Sequence, residues 1–161
     1  MIIRPATLSD LESLLTIYET ARQFMRESGN LNQWTGGYPP ASLVTQDIQN
    51  GNSFVCEEDG QILGVFCYFD GPDPTYDYIE GAWLNDRPYG VIHRIAVAAH
   101  RRGVAAACYD WALTRCDDLR IDTHADNRPM QRSLQKYGFT PCGTIYLANG
   151  DPRIAYQKSN E

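Results

Sequence analysis

VIHRIAVAAHRRGVAAACYDWAL, residues 91–113, joins three local patterns without a spacer. Residues 91–99 are an alternating, largely apolar run that reads as a strand. His100, Arg101 and Arg102 follow, Gly103 turns the chain, and an alanine-rich helix runs on towards Cys116. The first amides of such a helix have no partner inside it, and the helix dipole places partial positive charge there. Gly103 puts no side chain between backbone and ligand, and Ala105 and Ala106 put little. A diphosphate suits such a cradle, held mainly by backbone N–H groups. The plain alternative is a glycine turn with solvated arginines. The segment has neither the G-x-G-x-x-G of a dinucleotide fingerprint nor the GK[ST] of a Walker loop.

Outward from this stretch, the pattern predicts a mixed sheet. IIRPA (2–6) reads as a strand, and Ser9 to Glu12 as a capping box opening a helix that ends at Gly29-Asn30. NLNQWTGGYPP (30–40) is a loop, and a short helix follows from Ala41 to Asn50. Residues 53–69 form a hairpin around Asp59-Gly60, and TYDYIEGAWLN (75–85) reads as another strand. LRIDTHAD (119–126) is a strand, residues 128–137 a helix stopped by Gly138, and the chain closes in a hairpin turning at Asn149-Gly150. Early hairpins and a late β-α-β-α unit imply a mixed α/β fold (α+β), a mainly antiparallel sheet with helices on both faces.

The 161 residues suit a single domain, 1–161, with one core. A net charge of -6 argues against nucleic acid or an anionic membrane as partner. No apolar run approaches a membrane span and Met1 to Leu8 lacks a signal-peptide layout, so the expected location is cytoplasmic. Five scattered cysteines without a C-x-x-C pair read as reduced thiols. His93, His100 and His124 lack metal-ligand spacing, so no metal is expected.

IHRIAV followed by HRRGVA resembles motif A of the GNAT family of N-acetyltransferases, a strand followed by [Q/R]-x-x-G-x-[G/A]. IDTHADNRPMQRSLQKYGF resembles the family's motif B, in which an Asn opens a helix ending in Gly-Phe, and IIRPATLSDLESLLTIY resembles its opening strand and helix. The resemblance implies a GNAT-like fold and an acyl-CoA-dependent N-acyltransferase with acetyl-CoA as cosubstrate. The backbone around Ile95, Ala96 and Val97 would pair with the pantetheine arm. Amides from Arg101, Arg102, Gly103, Val104, Ala105 and Ala106 would hold the pyrophosphate, and Asn127 would bond the pantetheine. Two positions depart from the pattern. His100 stands at the first motif A position, and Leu134 stands where many members carry a Tyr thought to protonate the leaving thiolate. Tyr137, one turn on, is the substitute candidate for that acid.

The candidate base is His93, which strand alternation sets on the face of Ile95 and Val97; a structural histidine in the sheet is the competing reading. Glu80 is a second candidate, since its strand precedes the motif A strand and would neighbour it. Asp122 and His124 read as a solvated sheet face. Trp34 and Tyr38 are the candidate acceptor-binding residues, aromatics on a loop. The expected reaction is direct transfer of an acetyl group to a primary amine of a small molecule. A catalytically silent CoA-binding sensor, an acetyltransferase of protein N-termini or lysines, and a nucleotide binder are the alternatives. The resemblance also allows a homodimer, of which the residues themselves give no sign.

Overall fold

The structure is a computed structural model that describes residues 1–98 and 103–160. Ala99, His100, Arg101 and Arg102 lie outside the described residues, and with them the basic part of the expected cradle. The described residues form an eight-stranded sheet in the order β1-β2-β3-β5-β6-β8-β7-β4. Its strands are β1 (Ile2–Pro5), β2 (Ser53–Glu58), β3 (Gln61–Asp70), β4 (Glu80–Gly81), β5 (Gly90–Val97), β6 (Asp118–Thr123), β7 (Thr140–Tyr146) and β8 (Pro152–Ser159). Every adjacent pair is antiparallel except β5 and β6. Both predicted hairpins form. Asp59 and Gly60 both take positive φ, the mirror-image turn that matches strand twist.

Four helices cover the two faces. α1 (Leu11–Glu27) and α2 (Ala41–Gln49) bury Leu14, Ile17, Tyr18, Val44 and Ile48 against Val55, Val65 and Ala96 on one face. α3 (Val104–Ala112) and α4 (Arg128–Tyr137) bury Val104, Cys108, Tyr109 and Leu134 against Phe66, Ile92 and Ile121 on the other. Trp111 of α3 lies against Phe54, Phe66 and Tyr68. The turn into α1 differs from the expected Ser9–Glu12 box. The Asp10 carboxylate accepts from the Thr7 N–H at 2.8 Å and from Arg4 Nη1 at 2.8 Å, so the acid three residues after Thr7 does the work.

TYDYIEGAWLN is the main departure from the sequence reading. Pro74–Tyr76 is a single 3-10 turn and only Glu80–Gly81 is strand. β4 lies at the far edge of the sheet beside β7, not beside β5. It crosses β7 where glycine meets glycine: a Cβ on Gly81 would stand 2.2 Å from the Cys142 carbonyl oxygen. Sequential strands are neighbours more often than not, and here two glycines permit a contact that rule does not anticipate.

A bulge interrupts β5. His93 pairs with Cys67 of β3 and Ala96 pairs with Val65, so Arg94 and Ile95 both stand opposite Phe66. Arg94 takes φ +52°, unusual for a residue with a side chain. Its guanidinium donates from Nε and Nη2 to the two oxygens of Asp47 on α2, each at 2.8 Å. Nη1 donates to Tyr38 Oη at 3.1 Å, and Tyr18 Oη donates to the Arg94 carbonyl at 3.1 Å. The Cys67 thiol, pushed up to about 12 by burial, donates to Asp47 Oδ2 at 3.3 Å. The extra residue also reverses the alternation expected for β5. His93 now shares a face with Ala96 and not with Ile95 and Val97.

Removing one partner of an enclosed ion pair strands the other charge. Asp47→Ala should therefore lower stability by about 3 kcal/mol, read in urea unfolding as an earlier midpoint with little change in slope.

Candidate active site

The parallel pair β5/β6 opens the cleft. The two strands pair only at Gly90–Leu119 and Val91–Arg120, after which they diverge. From His93 to Val97 the edge of β5 that faces β6 therefore has no strand partner. Two connected chambers fill the gap. An upper one of about 450 Å³ is walled by His93, Asp122 and Arg153 of the sheet and by Trp34 and Tyr38 of the loop. A lower one of about 730 Å³ is walled by Val97, Gly103, Ala105, Ala106 and Tyr137. Met25, Ile95, Asn127 and Met130 border both and form the waist.

In the upper chamber, His93 Nε2 lies 2.8 Å from Asp73 Oδ2. Asp73 is itself held: its Oδ1 accepts from the Thr75 N–H at 2.9 Å, and its own N–H donates to Tyr89 Oη at 2.8 Å. The bond to His93, opposed by partial burial, keeps the Asp73 carboxyl below its ordinary value. With Nε2 engaged, Nδ1 of His93 has no hydrogen-bond partner among the described residues. The Phe69 and Tyr76 rings flank the imidazole, with centroids 5.7 and 6.2 Å away. Tyr76 Oη donates to Asp122 Oδ2 at 2.6 Å. Burial pushes the Asp122 carboxyl up, against the nearby His93, the Tyr76 bond and Arg153.

The loop 30–40 is tied to α1 and across the cleft. Arg26 donates to the Asn30 carbonyl at 2.7 Å and to the Trp34 carbonyl at 2.9 Å, and Arg22 reaches the Tyr38 carbonyl at 3.2 Å. Trp34 packs edge-on to Tyr18 and Tyr38. From the far bank, Asn127 Nδ2 donates to Gln33 Oε1 at 3.0 Å. The other end of that amide caps α4: Asn127 Oδ1 accepts from the Met130 N–H at 3.2 Å, with Pro129 in the first turn.

In the lower chamber, Gly103 precedes α3 with φ +81°, the left-handed region that suits glycine. The first helical bond runs from the Ala107 N–H to the Gly103 carbonyl at 3.0 Å, so the amides of Val104, Ala105 and Ala106 have no partner inside the helix. The small side chains of Gly103, Ala105 and Ala106 at this helix N-terminus leave room for an anionic ligand.

The structure brings most of the sequence candidates to this cleft. His93, Trp34 and Tyr38 wall the upper chamber, Gly103, Ala105, Ala106, Ala96 and Val97 the lower, and Ile95 and Asn127 the waist. Val104 is fully buried under the first turn and is the one cradle candidate among the described residues that lines neither chamber. Glu80 is corrected: with β4 at the opposite edge, its carboxylate meets Tyr78 and Tyr146 and not β5. Tyr137 lies in the lower chamber, its hydroxyl on Asp110 and its ring against Tyr109 and Phe139. Leu134 is wholly inside the core. Asp122, read as solvated, is held inside by Tyr76. Asp73 and Arg153 were not singled out by the sequence. Asp73 sits in a Gly/Pro loop that carries no periodic signal, whereas the lone arginine in the otherwise apolar strand Arg153-Ile154-Ala155-Tyr156 was a readable sign.

The sequence model of the acetyltransferase (GNAT) family matches residues 12–139. No curated protein matches the chain. Among solved structures, an acetyltransferase of the GNAT family from Streptococcus agalactiae 2603 is 35% identical with a TM-score of 0.88, over 99% of this chain and 95% of that one. A GNAT family acetyltransferase from Listeria monocytogenes 4b F2365 shares the fold at 21% identity and a TM-score of 0.69, over 98% and 94%. A ribosomal-protein-alanine N-acetyltransferase from Brucella melitensis does so at 23% and 0.67, over 99% of each chain. No helix among the described residues is long and apolar enough to cross a membrane. With the family's motifs, its sheet and the opened β5/β6 pair in one chain, the protein belongs to the GNAT family of acetyltransferases.

Proposed function

We propose that the protein transfers an acetyl group from acetyl-CoA directly to the primary amine of a small molecule in the cytoplasm. The observation that carries this reading is the divergence of β5 from β6, which opens one channel from the amides of α3 to the His93–Asp73 pair. The channel suits acetyl-CoA. The unpaired edge of β5 from His93 to Val97 offers backbone groups to the pantetheine amides, as a partner strand would. The first amides of α3 would take the pyrophosphate, with Arg101 and Arg102 adjoining in sequence. Asn127 at the waist can exchange its bond to Gln33 for one to the pantetheine. When bound, acetyl-CoA supplies an acyl carbon activated by a good leaving group.

The chain's own task is to hold the amine and remove its proton, because an ammonium has no lone pair with which to attack. His93 is the base. Asp73 accepts from Nε2–H and sets the tautomer, leaving the Nδ1 lone pair to take the proton. Holding both reactants at the waist supplies much of the remaining rate, on the order of several kcal/mol. Leu134, at the family's tyrosine position, is in the core, and Tyr137, which lines the lower chamber, is the candidate acid for the leaving thiolate. The upper chamber holds about 450 Å³ and is bordered by loop 30–40, a size that suits a small acceptor. Leu134 favours a second reading, a silent acetyl-CoA binder.

Thermal unfolding with acetyl-CoA, and with ATP as control, tests the reading. At ~100 times its Kd a ligand adds roughly 2.7 kcal/mol, a rise of about 5–10 °C here. A rise with acetyl-CoA alone, plus thiol release on addition of amines, supports transfer; a rise without any thiol release selects the silent binder. No rise removes both. Gly103→Val should weaken acetyl-CoA binding at least ~10-fold by calorimetry, through backbone strain and a filled cradle. His93→Ala should lower kcat by roughly 10²–10⁴-fold and leave acetyl-CoA affinity unchanged.

The depressed Asp73 carboxyl sets a pH signature. Folding favours its ionised form, so its stabilisation is complete above the unfolded value of about 4 and is lost as the pH falls through the lower folded value. Asp73→Asn should be less stable than the parent at pH 6, and the two should converge as the pH falls through the lowered Asp73 value.

A further inference from the structure

Arg153 and Arg120 are the two buried arginines among the described residues, and neither is ion-paired. Arg4 is paired with Asp10 and Glu57, Arg87 with Asp118, and Arg94 with Asp47. Arg120 is stacked on Trp83 and Tyr89 and donates to the Asn85 carbonyl. Arg153 is only 8% exposed, yet no carboxylate of the described residues lies within ion-pair distance of it. Its guanidinium donates once, from Nη1 to the Pro152 carbonyl at 2.8 Å. Burying a cation without a counter-charge is costly; at Arg120 two aromatic faces and a carbonyl offset part of that cost, and Arg153 has no such rings among the described residues.

The place of Arg153 says what completes it. On β8 it pairs with Ile145 of β7 and stands one pleat from Ala155, which pairs with Asp122. Asp122 and Arg153 thus share the face of the sheet that forms the wall of the upper chamber. Asp122 feels the guanidinium as a nearby positive charge, but its own short hydrogen bond goes to Tyr76. One chamber therefore carries Arg153 and Asp122 side by side on the β6/β8 wall, with Asp151 also lining it, and the imidazole of the His93–Asp73 pair on β5, while the guanidinium itself makes no ion pair among the described residues. A guanidinium offers parallel N–H groups that match a carboxylate, and such bonds are strong where water is scarce.

We propose that the acceptor amine also carries a carboxylate, which Arg153 binds while the amino group faces His93 and Asp122. The acceptor is then of the amino-acid class rather than a polyamine or another polycation, which Arg153 would repel. This rests on the reading of the cleft as an acetyl-CoA-dependent amine acetyltransferase.

The test uses the full chain with acetyl-CoA and matched sets of acceptors. Each set holds an amino acid (glycine, β-alanine, L-alanine, L-phenylalanine or L-glutamate), its carboxamide and the amine without the carboxylate. Thiol release gives kcat/KM, and calorimetry gives binding. The expected result is a preference of ~10–100-fold for the carboxylate in at least one set. Arg153→Gln should abolish that preference by raising KM with little change in kcat, and Arg153→Lys should restore part of it. Acetyl-CoA binding should be the same in all three proteins, which separates a lost anion site from a misfolded chain. Equal use of carboxylate and carboxamide, or a preference that survives Arg153→Gln, overturns the inference. So does binding of acetyl-CoA with no carboxylate bound or acetylated, and that result leaves the acetyl-CoA site standing. A carboxylate preference in binding that depends on Arg153, without thiol release, upholds the anion site and removes acetyl transfer instead.

Discussion

The Arg94–Asp47 ion pair is the contact on which the rest of the cleft depends. It joins α2 to the middle of β5 at the residue where that strand leaves regular geometry. A bulge turns a strand and strengthens its twist, and here the strand beyond it no longer follows β6. The same arginine ties in Tyr38 from the loop, and its carbonyl receives Tyr18 from α1. One residue thus links the sheet, two helices and the roof of the upper chamber. An enclosed pair of this kind adds little net stability over an apolar alternative, and its value lies in specifying one arrangement.

The two chambers use different physics. The lower one is backbone and small side chains, with the positive end of α3 and no carboxylate beside Gly103 and Ala106. The upper one is a set of fixed polar groups: a histidine held by Asp73, a carboxylate held by Tyr76 and an arginine with most of its donors free. Direct transfer needs the two reactants side by side, and the shared waist at Ile95, Asn127 and Met130 is where they would meet.

Much of this was legible in the residues. Helices and hairpins announced themselves through periodicity, through Asp59-Gly60 and Asn149-Gly150, and through the strand-glycine-helix at Gly103. The placement of β4 was not, because a two-residue strand has no period and its partner was decided by two glycines far apart in sequence. Nor was the face of His93, because a bulge adds one residue without a composition signal and reverses the alternation beyond it. His93 still reached the chamber, since β5 borders the gap along its whole splayed length. Asp73 escaped because an acid in a Gly/Pro loop becomes informative only once its neighbours are known, whereas Arg153, alone among apolar neighbours in β8, left a sign that could have been read.

The match to the family ends at residue 139, and Arg153 lies beyond it, on the hairpin of β7 and β8. Loop 30–40, within the match, is irregular backbone held by a few arginine contacts. In the proposed reading, the upper chamber thus adds a hairpin and a loop to the walls it takes from β5 and β6, while the lower chamber is built from the strand and helices that carry the common motifs. A chain arranged this way can change what it acetylates by altering its end and one loop, with the machinery that handles the acyl donor left intact.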